Sequence, residues 1–179
     1  MAPGKKPGAR KPNRTSTLLE NVRVPTMSKN QTPILAWHYT LGANLLRILE
    51  SGYILPFDRE DTPVVELPVA WFSVNQRFEP SAAKSLEVNG VAQAPTLAMM
   101  RQFGNGVYRL GIAPRQLMGG EALRRQARIN KERWRELSKK AQECGANVSD
   151  WFGAVDPVAA SDCVIEVLTE DMQWARVAS

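Results

Sequence analysis

The chain has 179 residues, from which one domain large enough for its own core is expected. No apolar run reaches membrane-spanning length and no leader-type apolar segment stands near the start, so a soluble cytoplasmic protein is expected, while one histidine and two widely spaced cysteines (Cys144, Cys163) make a zinc site unexpected. The net charge of +5 is uneven: residues 1–30 carry seven Lys/Arg against one Glu, residues 121–144 eight against four, and residues 145–179 one against six Asp/Glu. A basic tail and one basic helical stretch offer phosphate contacts to a nucleic acid, or simply keep the chain solvated.

Residues 1–30 are rich in Lys, Arg, Pro, Gly, Ser and Thr. They hold too little apolar surface to offset ordering entropy and read as a flexible basic arm. One domain is expected over 31–179. Ile34–Tyr39 reads as a buried strand. Leu41, Leu45, Ile48 and Leu49 recur at helical spacing, with Thr40 suited to the N-cap and Gly52 to the C′ position. Tyr53–Pro56 is a short extended exit, and 57–68 a polar loop. Val69–Val74 reads as a second strand. Residues 75–105 form a long connection with one helix near Thr96–Gln102. Gly106–Ile112 alternates as a strand that Pro114 stops.

Residues 121–144 read as one helix with the stripe Leu123, Ala127, Trp134, Leu137, Ala141 and Cys144, interrupted by Asn130 and ended by Gly145. Asn147–Pro157 is a loop holding Trp151 and Phe152. Asp162–Leu168 reads as a strand, and Met172–Val177 as a last one. The fold class expected is α+β, a split, mixed or antiparallel sheet with flanking helices.

His38 and Thr40, two apart, share one face of their strand, while Trp37 and Tyr39 share the other. Trp71 and Ser73 share a face of theirs. Asp162, Val164 and Glu166 do the same by period two. Glu166 is a charge in an otherwise apolar strand, which needs a reason. Each residue also has a plain reading. Thr40 and Ser73 serve as caps, Tyr53 packs under a loop, Glu166 pairs with an arginine, and the basic stretch is a solvated face.

The order of parts is Trp37-His38-Tyr39-Thr40, a helix, Gly52-Tyr53-Ile-Leu-Pro56, and then Trp71-Phe72-Ser73. It resembles the dinucleotide-binding half of the ADP-ribosyltransferase fold, which also includes DNA-modifying ADP-ribosyltransferases and RNA 2′-phosphotransferases. The resemblance spans about half the chain. It implies NAD as the bound substrate, with His38 holding a ribose and the backbone of Tyr39 pairing with the carboxamide. Thr40, Trp71 and Ser73 would help to position the ligand, and Tyr53 would pack on nicotinamide. A carboxylate on a late strand, Glu166 first and Asp162 second, would stabilise the ribosyl cation. The family's late Glu-x-Glu or Asn-Glu-Tyr motif is absent.

The activity so implied is an NAD-dependent ADP-ribosyltransferase, with a nucleic acid or a protein as acceptor. A 2′-phosphotransferase would want arginines near His38, where the sequence supplies Arg47 and Arg59. Two alternatives stand beside the enzyme. One is a catalytically silent module of the same fold that binds a nucleotide or nucleic acid. The other is a protein-interaction domain with a vestigial pocket.

Overall fold

The computed structural model describes residues 33–57, 63, 65–83, 86–88, 91–93 and 95–177; the arm expected at 1–30 and Arg59 lie outside them. The first strand is β1 (Ala36–Leu41), followed without a loop by α1 (Gly42–Ser51) and β2 (Tyr53–Ile54). Thr40 is not the cap of α1: it belongs to β1 and is buried, while Leu41 takes the cap position with no side-chain bond. Leu45 and Ile48 turn inward, and Gly52 ends the helix in the left-handed region at φ 76°, where a Cβ is disfavoured.

Next come β3 (Ala70–Ser73), the short ribbon β4 (Leu86–Val88) with β5 (Val91–Gln93), α2 (Leu97–Phe103) and β6 (Val107–Ile112). Thr96 caps α2 by accepting from Met99 N at 3.2 Å. A two-residue strand β7 (Met118–Gly119) leads into α3 (Gly120–Gln126) and α4 (Lys131–Glu143). The single helix expected over 121–144 is therefore two. Arg128 breaks it in the left-handed region at φ 57°, and Asn130 restarts it, its side chain accepting from Arg133 N at 2.8 Å. The loop expected at 147–157 contains β8 (Trp151–Ala154). After β9 (Val158–Ala159) come β10 (Val164–Leu168) and β11 (Trp174–Arg176).

Seven strands form one sheet in the order β11-β10-β6-β1-β3-β8-β7, every neighbouring pair antiparallel, while β2 and β9 pair separately. The class is α+β. Register sorts the side chains. Ala36, His38 and Thr40 stand opposite Ile112, Leu110 and Tyr108, and Ile165 lies beyond Leu110. This face packs on α1 through Ala36, Leu45, Ile48, Leu110 and Ile112. Each fully buried Leu or Ile there contributes roughly 1.5–3 kcal/mol. The other face carries Trp37, Tyr39, Ser73, Arg109 and Glu166. It is covered by α2 at one end, through Met100 with Val107 and Leu168, and by α3 and α4 at the other, through Leu123 and Trp134 with Trp71.

Candidate functional site

β1 and β3 share a single ladder pair, Trp37 with Ser73. One step further, where Tyr39 and Trp71 would be the next partners, a side chain bridges the seam: His38 Nδ1 lies 2.9 Å from the carbonyl oxygen of Trp71. A carbonyl only accepts, so Nδ1 carries the hydrogen. In the neutral ring Nε2 then holds the lone pair. The imidazole also lies against Phe72, centroids 5.5 Å apart. His38 is half-buried on the α1 face. Trp71 meets it through its backbone alone. The indole of Trp71 is on the far side, packed edge-on with Trp151 at 5.5 Å and near Trp134 at 6.3 Å.

Tyr53 is 48% exposed and opens β2 directly after α1. It pairs with Ala159, and Ala160 N donates to the Gly52 carbonyl at 2.9 Å. That pairing draws the turn Ala160–Asp162 alongside the end of α1. Asp162 is exposed at the end of that 3-10 turn, ahead of β10 rather than inside it. Burial, with the Asp162 charge second, pushes the neighbouring Cys163 thiol up to about 11.

Glu166 is elsewhere. It stands opposite Arg109, on the face away from His38, so the convergence of His38 and Glu166 expected from sequence does not occur. Its Oε2 accepts from Arg109 Nε at 2.8 Å and Nη2 at 2.6 Å. The guanidinium is buried, lies between the rings of Trp37 (3.9 Å to the centroid) and Trp174 (4.3 Å), and donates from Nη1 to the Gln76 carbonyl at 2.7 Å. Trp37 Nε1 and Trp174 Nε1 donate in turn to Gln76 Oε1 and the Arg77 carbonyl. The charge in an apolar strand has its reason in this ion pair.

Ser73 and the ring of Tyr39 are also committed to this inner face. Ser73 Oγ donates to Glu79 Oε2 at 2.7 Å. Glu79 Oε1 accepts from Ser81 N and Oγ and from Trp151 Nε1, and both Ser73 and Glu79 are buried. Tyr39 OH donates to the Asn75 carbonyl at 3.0 Å, and burial pushes its phenol up to about 12. Neither hydroxyl faces a ligand on the His38 side. Sequence reasoning missed Glu79 and Arg109, the two charges that organise this face. A buried charge is hard to tell from a surface one until its strand partners are known.

Among the described residues, a hollow of about 170 Å³ lies between Met118, Leu123 and the segment 153–158, and neither His38 nor Tyr53 lines it. A second, of about 10 Å³ beside Tyr39, Thr40 and Met100, has room for no more than a water. No three His, Cys, Asp or Glu side chains of the described residues gather to hold a metal ion. No helix among them is long and apolar enough to cross a membrane. No protein-family model matches the chain, and no curated protein or solved structure is significantly similar to it.

Proposed function

We propose that this chain is an NAD-dependent ADP-ribosyltransferase whose carboxylate is Asp162 rather than Glu166, with a nucleic acid or protein as acceptor. The observation that carries the reading is the bridge from His38 Nδ1 to the Trp71 carbonyl. Through it, the two short motifs behind the resemblance meet at one seam, where the β1–β3 ladder stops. Its donor set suits a dinucleotide. His38, held at the seam by its bond to the Trp71 carbonyl, would contact a ribose hydroxyl through its imidazole. The Tyr53 ring is exposed enough to stack on a flat heterocycle. Asp162, exposed in the turn whose first residue bonds the Gly52 carbonyl, would orient the sugar hydroxyls and oppose developing positive charge. NAD would supply a nicotinamide–ribose bond that breaks through an oxocarbenium-like state.

The test is calorimetric titration of NAD into the wild type, His38→Ala, Tyr53→Ala and Asp162→Asn. A dissociation constant between about micromolar and millimolar is expected, lost in the first and weakened in the second. Asp162→Asn should keep binding and lose release of nicotinamide. Absence of binding to the wild type overturns the reading. The buried Glu166–Arg109 pair favours a second reading, a silent module of the same fold, because the strand carboxylate is already taken. NAD bound but left intact by the wild type is its signature. Neither NAD nor nucleic acid bound would leave the protein-interaction domain.

A further inference from the structure

We infer that one exposed edge of α4 is a docking surface for the phosphate backbone of a nucleic-acid strand. It deepens the reading above by choosing between the two acceptor classes, although the contact itself needs no NAD.

Lys131, Arg135 and Lys139 recur at i, i+4 and i+8, and all three are exposed. Each step advances about 6 Å along the helix, comparable with the separation of neighbouring phosphates on one strand. Arg128, exposed in the left-handed turn three residues before Lys131, adds a further cation ahead of α4. Gln142, three residues after Lys139 and exposed, adds a neutral donor at its end.

Two features separate this edge from an ordinary solvated helix. The first is segregation by sign. Glu132, Glu136, Lys140 and Glu143 occupy the adjacent row, so the acids lie to one side of the basic row rather than among it. The second is how those acids are used. Glu121 holds Arg124 at 2.7 Å and Arg125 at 3.4 Å, and Glu136 holds Arg133 at 3.7 Å. Glu132 reaches Arg135 only at 4.0 Å. Arg128, Lys131 and Lys139 have no carboxylate within ion-pair distance among the described residues. Arg124 is not part of the surface. It is mostly buried and donates to the Ile129 carbonyl at 2.5 Å, which braces the turn between the two helices.

Trp134, Leu137 and Ala141 anchor the inner side of α4 in the tryptophan cluster, and Asn130 caps its start. Three cations at helical spacing, with Arg128 ahead of them, would displace about four counterions from a strand, and each contributes about −0.7 to the salt slope for a single strand.

The experiment is anisotropy of a short fluorescent single-stranded oligonucleotide of mixed sequence with the full chain, without NAD, across a salt series. The row accounts for a slope of about −3. Lys131→Gln/Lys139→Gln together should weaken binding several-fold and reduce the slope by about 1.4, while Lys140→Gln on the acidic row leaves both unchanged. All three positions are exposed, and a thermal melt checks that each variant is folded. Wild-type binding by the double variant, or an equal loss in Lys140→Gln, overturns the inference. So does competition by phosphatidylserine vesicles as effective as unlabelled strand, which would make this a membrane-facing patch. Strand binding that persists where NAD fails to bind would remove the transferase reading and leave this surface standing.

Discussion

His38 and Glu166 stand on opposite faces of one sheet, two strands apart. His38 is level with Leu110 and Glu166 with Arg109, and consecutive residues of a strand project to opposite sides. The one-residue offset between Arg109 and Leu110 decides which carboxylate can serve a ligand held by the histidine. It assigns Glu166 to the architecture.

Glu166→Gln should therefore act on stability before it acts on any ligand. It leaves the Arg109 guanidinium buried between two indoles without its counter-charge. Removing one partner of such a pair costs about 3 kcal/mol or more, whereas Arg109→Met with Glu166→Leu should cost less than the sum of the single changes. Urea unfolding of the single and double variants measures both. The folded Glu166→Gln protein should give the same NAD titration as wild type. A selective loss of nicotinamide release at unchanged stability would restore this residue to the chemistry.

Glu79 carries the second buried charge, and its acceptor atoms are occupied by Ser73, Ser81 and Trp151. Glu79→Gln replaces one acceptor oxygen with a donor facing other donors. The expected loss is about 2–3 kcal/mol, against about 1 kcal/mol for Ser73→Ala. Chemical denaturation gives the values. An inverted order would mean that Ser73, rather than the carboxylate, holds the segment 75–82 to the sheet.

Much of the fold was legible from spacing. β1, α1 with its Gly52 end, β3, β6, α2 and β10 all fall within a few residues of the segments their apolar patterns mark. β8 was not legible, because Trp151–Ala154 is short and lies among Gly, Pro and Asp residues that read as a loop. The break between α3 and α4 was visible as Asn130 in an apolar stripe, but a polar residue there reads as a flaw until its capping role is seen. At the site, periodicity gave the faces of each strand alone. It could not give the register between strands, and register is what parts Glu166 from His38 and turns Ser73 and the Tyr39 ring inward.

Alkaline pH should destabilise the fold through Tyr39. Burial holds its phenol at about 12, above the 10.0 of an exposed tyrosine. As pH rises the unfolded chain loses this proton first, so stability is full below about pH 10 and falls between about 10 and 12. The slope is up to roughly 1.4 kcal/mol per pH unit. Cys163 adds a similar loss between about 9 and 11, so the measurement is made in a Cys163→Ala background. Tyr39→Phe should lower stability at neutral pH by about 1 kcal/mol, for the lost bond to the Asn75 carbonyl, and flatten the alkaline limb. An unchanged limb in that variant would show that another group titrates there.

Gly111→Ala tests whether the indole of Trp37 is the keystone of the inner face. Gly111 lies opposite both Trp37 on β1 and Val164 on β10, and a Cβ there would run into the six-membered ring of Trp37. The ring has little room to retreat: it stacks on the Arg109 guanidinium, and its Nε1 donates to Gln76 Oε1 at 3.0 Å. Displacing it would loosen the arginine from the indole and Gln76 from the end of β3. Overpacking of this kind costs about 1–3 kcal/mol. The urea midpoint should fall and the near-ultraviolet dichroism of the tryptophans should change, with the far-ultraviolet spectrum kept. A second-site change that shrinks the ring, Trp37→Leu, should return part of the packing at Gly111→Ala but forfeit the stacking on Arg109. The double variant should then be less destabilised than the two single changes added together. Strict additivity would mean that Gly111 and Trp37 do not press on each other in solution.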